Sequence, residues 1–562
     1  MNQHMVFTDY LVFILYFIIV SAYGYSIYRK RKQGEHDAKA FFLAEGTLTW
    51  WAIGASLIAS NISAEQFIGM SGEGFFLGVA VAAYEWIAAI ALIIVAVWFI
   101  PVYLKNHIYT MPQFLKTRYN ETVALIMAIF WLFLYVFVNL TSILYLGAVA
   151  INGLAGGDYL HVIMLGLAIF ALLISLGGMK VVAYTDVIQV AVLIIGGLVT
   201  TYIALSVVGD KMVGDGAGPI AGFKALMGHA PEHFKMIIPK PTAASTQNDI
   251  NKYLTFPGLA SYAAGIWIIN LNYWGCNQYI TQRALGADLK TARTGILFAG
   301  FLKLMMPIIV MLPGIAAFVL HQNGSLPQLV GGKDGAYSAM LTFLPTGLKG
   351  LSVAALTAAI VASLAGKVNS ISTIFTLDVY KKYFKKEASE KSMVMTGRAT
   401  VFVAMILAVM FTWNDLLGIG GVGGFTYIQK YTGFISPGVF AMFFLGMFWK
   451  RTTGLAAIAG VIMGFVLSVI FNEFAPAWFG PHTFLYTAYP NNDGKFEIPF
   501  HICMGLSFLF TMILMIGLSL AGPKVNHKAF HNDKAMFKVE PSTLALIVVT
   551  LLLIAALYVK FW

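Results

Sequence analysis

Cysteine is almost missing from this chain: Cys276 and Cys503 are the only two in 562 residues. They are too few and too far apart for a disulfide framework or a metal cluster. Charge is scarce as well, 11% Asp, Glu, Lys and Arg against 59% hydrophobic residues. No soluble domain needs that much apolar surface, so the lipid bilayer must be the main solvent. Acids are scarcer than bases, 25 against 36, giving a net charge of +11. A partner such as nucleic acid would require that surplus on one surface, and it is instead spread over alternate loops. Metal-spaced histidines, a Walker loop and a Gly-x-Ser-x-Gly elbow are also lacking, so no enzymatic activity is expected. The opening "MNQHMVFTDY" lacks a basic n-region, and no cleavable signal peptide is expected.

What the chain does have is long apolar runs. A spanning helix takes roughly 20 apolar residues. Fourteen candidates lie near 8–28, 50–73, 78–103, 122–151, 159–177, 183–208, 257–281, 294–321, 349–376, 396–413, 417–447, 452–472, 498–521 and 541–561. The connections are too short for a soluble domain, so residues 1–562 read as a single transmembrane domain, all-α and polytopic. With both termini on the extracytoplasmic side, the opposite set of loops ("RKRKQGEHDAK", 104–121, Lys180, 283–293, "KKYFKKEASEK", Lys450–Arg451 and 522–540) holds about two thirds of the 36 Lys and Arg. That is the positive-inside bias.

Two spans are interrupted in matching ways. The run 50–73 contains "ASNISAEQFIGM", with Asn61, Ser63, Glu65 and Gln66 in six positions. The run 257–281 carries Asn270, Asn272, Tyr273, Trp274 and Asn277 in its middle. Each opens a set of five helices, 50–208 and 257–447, and an odd number makes the repeats start from opposite sides of the membrane. Paired broken helices in two halves point to a midplane substrate site, because irregular backbone at that depth must line a cavity. The helices 8–28 and those within 452–562 fall outside the repeats and read as scaffold or oligomer surface, with no oligomeric state specified. The loops 209–256 and 473–497 carry turn signals, with short helices expected.

An ionised side chain at mid-bilayer costs at least ~2.5–3.5 kcal/mol, so it should face protein or water. The candidates are Glu65, Glu85, Asp186, Lys303 and Lys367, beside the amides of Asn61, Gln66, Asn139, Asn270, Asn277 and Gln429. Tyr84, Tyr135, Tyr273, Trp274 and Phe425 add aromatic faces. A sugar needs this combination, since its hydroxyls donate and accept while its C–H faces stack on rings. A nucleobase could use the same amides, and amides also glue membrane helices together at about 0.6 kcal/mol each. Lys303 and Lys367 could instead snorkel to a membrane surface, or Lys367 could neutralise Asp186. The stretch 356–370, "LTAAIVASLAGKVNS", reads as small-residue packing, which equally suits a sodium site built from a hydroxyl and exposed carbonyls.

The stretches "ASLIASNISAEQFIGMSGEG", "YEW", "FVNLTSILYLG", "TDVIQV", "YWGCNQYITQRAL", "FLKL", "NSISTIFTLDVYKKY" and "YIQKYTGFISPG" resemble the solute:sodium symporter family, in particular its bacterial sodium/galactose symporters and animal sodium/glucose cotransporters. The similarity runs from about residue 8 to 475. It implies fourteen helices around a LeuT-like core of two inverted five-helix repeats, in a bacterial inner membrane. It also implies a sugar site at Gln66, Glu85, Asn270, Lys303 and Gln429, with Asn61 and Asn139 nearby. Tyr273 would stack on the sugar and close the inner path, Met70, Tyr84 and Phe425 would form the outer gate, and Trp274 counts among the gate residues. One serine of the family's pattern is Ala88 here, which leaves the preferred sugar open.

The resemblance further implies a sodium site at the carbonyls of Ala59, Ile62 and Ala359 and the Ser363 hydroxyl, with Ala362 replacing a second hydroxyl. Relatives that bind a second sodium do so through hydroxyls where Ala365 and Gly366 stand, together with the aspartate equivalent to Asp186, for which an indirect role is expected here. One coupling sodium is therefore expected. The expected function is sodium-coupled hexose import by alternating access. The alternatives are another polyol or a sugar acid, a non-transporting sensor or uncoupled carrier of the same fold, and protons in place of sodium.

Overall fold

The computed structural model describes residues 5–30, 48–63, 65–155, 159–176, 179–326, 329, 332–416 and 424–562. The side chains of Glu65 and Lys180, most of the basic loop 29–39 and the first seven residues of the candidate span 417–447 lie outside the described set. Among the described residues, eleven helices are long and apolar enough to cross a membrane, and a pair bent by 53° at Phe425–Gly433 and Ser436–Phe448 makes up to 12. The 16-residue helix Leu160–Ser175 and the 12-residue helix Trp50–Asn61 fall on the two remaining candidates. All fourteen sequence candidates therefore meet helix.

The helices used below are α1 (Phe7–Lys30), α2 (Trp50–Asn61), α3 (Ser71–Leu77), α4 (Ala83–Ile94) and α5 (Met179–Met212). They continue with α6 (Ile266–Cys276), α7 (Gln278–Leu285), α8 (Leu289–Gln322) and α9 (Leu348–Thr373). The last three are α10 (Gly424–Gly433), α11 (Ser436–Phe448) and α12 (Phe500–Leu520). Outside the spans, residues 209–256 form the short helices Gly218–His229, Pro231–Phe234 and Gln247–Thr255. A two-stranded antiparallel ribbon pairs Tyr489 with Glu497 and Pro490 with Phe496. Cys276 and Cys503 are buried free thiols.

The chain divides into two compact units. The first comprises 1–82, 130–235 and 282–428. Its helices approach closely where side chains are small, the route by which membrane helices gain packing contacts. At the crossing of α2 and α8, a Cβ on Gly54 would lie 2.8 Å from the Gly295 carbonyl, and one on Gly295 would lie 2.8 Å from Ile53. Between α5 and α9, the Thr200 and Ser352 hydroxyls are hydrogen-bonded at 2.9 Å. The helix α1 is tied to the start of α9 by Asp9, whose carboxylate accepts from the backbone amides of Gly347 at 2.6 Å and Gly350 at 3.1 Å. A carboxylate on the free amides of a helix N-terminus is favourable for both charge and hydrogen bonding.

The second unit comprises 83–129, 236–281 and 429–562. Its counterpart to Asp9 is Arg118. The guanidinium is buried and donates to the carbonyls of Gly446 at 2.7 Å and of Thr452 and Trp449 at 3.0 Å each. These carbonyls lie in and just beyond the last turn of α11, where a cation meets the negative end of the helix dipole.

Candidate functional site

The polar break in the first unit is real and local. The backbone turns extended at Ile62 (φ −82°, ψ 105°), after a last helical bond from Ile62 N to Ile58 O at 2.8 Å. Hydrogen bonding resumes at Ser63 O, which accepts from Gln66 at 3.0 Å and Phe67 at 3.2 Å, and the residues Glu65–Met70 then form a wide π-helical turn. A helix that stops inside the membrane leaves its last carbonyls without intrahelical donors. One of these, Ser60 O, accepts from the Ser363 hydroxyl of α9 at 3.1 Å. The hydroxyls of Ser60 and Ser63 are buried with no hydrogen-bond partner among the described residues. An oxygen-only cluster of carbonyls and hydroxyls fits a small hard cation such as sodium. Ala59, Ile62, Ala359 and Ala362 are all buried, Ala359 one helical turn before Ser363 on α9.

The side chains of the same break face different partners. Asn61 Oδ1 accepts from Lys303 Nζ of α8, and Lys303 is 1% exposed, so this lysine does not snorkel. Lys367 is equally buried. Gln66 and Met70 lie buried on the π-helical turn, and Phe425 packs directly on it: a Cβ on Gly69 would lie 2.6 Å from Phe425 Cβ. Asn139 is buried on another such turn, Tyr135–Leu140, and donates to the carbonyl of Leu134 at 3.4 Å.

In the second unit, Glu85 is buried in the first turn of α4, with Ala88 buried one turn on. The Tyr84 hydroxyl is hydrogen-bonded to His501 Nε2 of α12 at 2.9 Å. In α6, the Asn270 amide donates to Ile266 O at 2.9 Å. The Tyr273 hydroxyl is hydrogen-bonded to that of Tyr279, and its ring meets Trp274 edge-on with centroids 5.1 Å apart. The second break falls at Asn277, extended at φ −98°, ψ 124°. Its carbonyl accepts from the amides of Ile280 at 3.2 Å and Thr281 at 3.0 Å, starting α7. Gln429 is half-buried on α10.

Three buried polar groups, Arg283, Ser56 and Glu73, are absent from the sequence-based candidates. Arg283 belongs to a stretch counted there with the basic loops, yet it is 1% exposed. It donates from Nε to Ser56 Oγ at 2.8 Å and stands 3.8 Å from Asp186, the role offered to Lys367. Ser56 in turn donates to Asp186 at 2.6 Å. Glu73, 1% exposed, accepts from Lys333 Nζ and Thr426 Oγ1 at 2.6 Å each. Glu73 and Arg283 both lie in the motif stretches quoted above, which give neither a role of its own.

Many membrane-spanning helices, two of them broken beside buried amides and charges, have the form of a polytopic transporter. The model of the sodium:solute symporter family matches residues 41–464. The chain is 41% identical to a sodium/glucose cotransporter of Vibrio parahaemolyticus, over 99% of this chain and 98% of that one. It is 33% identical to sodium/myo-inositol cotransporter 2 of Mus musculus, covering 82% of this chain and 69% of the relative. A solved sodium-coupled sialic acid symporter superposes with a TM-score of 0.75 at 20% identity, over 93% of this chain and 99% of that one; this establishes likeness of fold. The chain belongs to the sodium:solute symporter family and is a sodium-coupled solute symporter.

Proposed function

We propose that this symporter carries a hexose such as galactose or glucose together with one sodium ion. The observation that carries the reading is the break at 59–66. In the last turn of α2, immediately before the extended backbone at Ile62, the Asn61 side chain meets Lys303, and the Ser60 carbonyl meets Ser363. A sodium ion held by the carbonyls of Ala59, Ile62 and Ala359 and the Ser363 hydroxyl would fix the segment that presents Asn61 and Gln66 to the sugar. Glu85, Asn270, Gln429 and Lys303 supply further hydroxyl partners, Asn139 a nearby amide, and Tyr273 the stacking face. Met70, Tyr84 and Phe425 close the outer side, and Tyr273 with Trp274 the inner. Two inverted repeats, 50–208 and 257–447, would exchange access, with both termini extracytoplasmic. Similarity to a sodium/glucose cotransporter along nearly the whole chain supports the hexose.

A polyol such as inositol is the second reading, favoured by the myo-inositol relatives; Ala88, in place of a serine, leaves the preferred sugar open. The deciding experiment is uptake of labelled galactose into proteoliposomes with and without an inward sodium gradient, competed by hexoses, inositol and sialic acid. Sodium-stimulated uptake inhibited by hexoses alone is expected. Competition by inositol instead would transfer the assignment to the polyol, and gradient-independent uptake would overturn the coupling.

A further inference from the structure

Apart from the proposed sugar residues, the most fully buried acid described in the first unit is Asp186, at 0% exposure. Its Oδ2 accepts from Ser56 at 2.6 Å, and the Arg283 guanidinium lies against the same two groups, with both charged side chains at most 1% exposed. Gly366 makes room for the guanidinium. A Cβ at this position would lie 2.5 Å from Arg283 Nη2 and 3.1 Å from Ser60 Oγ. The guanidinium thus approaches the residue whose carbonyl accepts the Ser363 hydroxyl. Two oxygens at this spot, Asp186 Oδ1 and Ser60 Oγ, are buried without a hydrogen-bond partner among the described residues.

A carboxylate taken out of water must meet a cation or be neutralised. Oxygens of a carboxylate and a hydroxyl beside a helix break would suit a mobile cation, but a tethered one already stands there. We propose that Arg283, admitted by Gly366, is the built-in counter-cation of Asp186 and keeps a second sodium ion from binding beside the first. Arg283 is a positioning residue that acts through Asp186. The inference rests on the reading of Ser363 as a sodium ligand. A serine at position 366 would push the guanidinium aside and add a hydroxyl, whereas glutamine at 283 would leave Asp186 with no fixed charge to pair with.

The test is saturation binding of radioactive sodium to the purified full-length protein, without sugar. The expected stoichiometry is about one ion per wild-type chain and about two in Arg283→Gln and in Gly366→Ser, returning to about one when Asp186→Asn is added to either. A wild-type value of two, or folded variants that stay at one, would overturn the proposal. Should Arg283→Gln fail to fold, as judged by size-exclusion elution, Gly366→Ser and single Asp186→Asn decide. The latter leaves the guanidinium unbalanced near the sodium oxygens and should weaken sodium binding by about tenfold or more; unchanged affinity would count against the idea. Ser363→Ala separates the two layers. If it binds sodium like wild type, the site reading fails, whatever Arg283 does.

Discussion

Lys303 illustrates how the surroundings of one residue decide its role. In sequence it could have reached a membrane surface; in the fold it is buried and spends a hydrogen bond on Asn61. Asn139 and Asn270 donate to carbonyls of their own helices; in the proposed sugar site their amide oxygens would be the acceptors for a hydroxyl. A hydrogen bond to a charged partner contributes about 1.5–3 kcal/mol. Glu85→Gln, which replaces the charged acceptor by a neutral isostere, should therefore raise the half-saturating sugar concentration by roughly 10–100-fold. Uptake kinetics at saturating sodium would check this, and a normal constant would remove Glu85 from the site. Ser363→Ala should weaken sodium dependence of uptake more modestly, by roughly 2–10-fold, since one neutral ligand is lost.

At the scale of elements, helix ends matter more than helix interiors. The 34-residue α8, which positions Lys303, starts at Asp288, whose Oδ1 accepts from the amides of Lys290 at 3.0 Å and Thr291 at 3.1 Å. Its other oxygen accepts from the Thr291 hydroxyl at 2.6 Å. The bond from the Thr291 side chain, then those from the backbone amides, hold the Asp288 carboxyl below its ordinary value. A depressed carboxylate adds stability above its unfolded pKa and loses it as pH falls through the lower folded one. Asp288→Ala should cost about 0.5–1 kcal/mol at neutral pH, the low end for a cap because the side chain is exposed to screening solvent. The difference from wild type should shrink toward pH 3. Thermal melts of the detergent-solubilised protein at several pH values would measure it, and a pH-independent difference would exclude the charged cap as the cause.

For the whole molecule, coupling means that sodium and the solute, a sugar in the proposed reading, favour a common arrangement. Linkage requires the effect to be reciprocal. The factor by which saturating sodium tightens sugar binding should equal the factor by which saturating sugar tightens sodium binding, on the order of 5–150-fold for a typical coupling. Paired equilibrium titrations of both ligands measure it directly. Sugar affinity that ignores sodium would mean that the break at 59–66 does not link the two sites.

Much of this protein was determined by its sequence alone. Apolar run length anticipates the helices among the described residues, because hydrocarbon leaves the backbone no partner except itself. The polar cluster at 61–66 marks a broken segment, since irregular backbone at membrane depth must line a cavity; single buried charges such as Asp186 and Lys303 sit in continuous helices. The long motifs carry the family. Tertiary structure decided which buried groups answer one another. That Asp186 meets Arg283, that Glu73 holds Lys333 and Thr426, and that Ser363 reaches Ser60 are contacts between residues far apart in the chain. Hydropathy is a local property and reports only that a charge is buried. The partner that makes the burial tolerable is chosen by how the helices cross, and that depends on where glycines such as Gly54, Gly295 and Gly366 let them, or a guanidinium, come close.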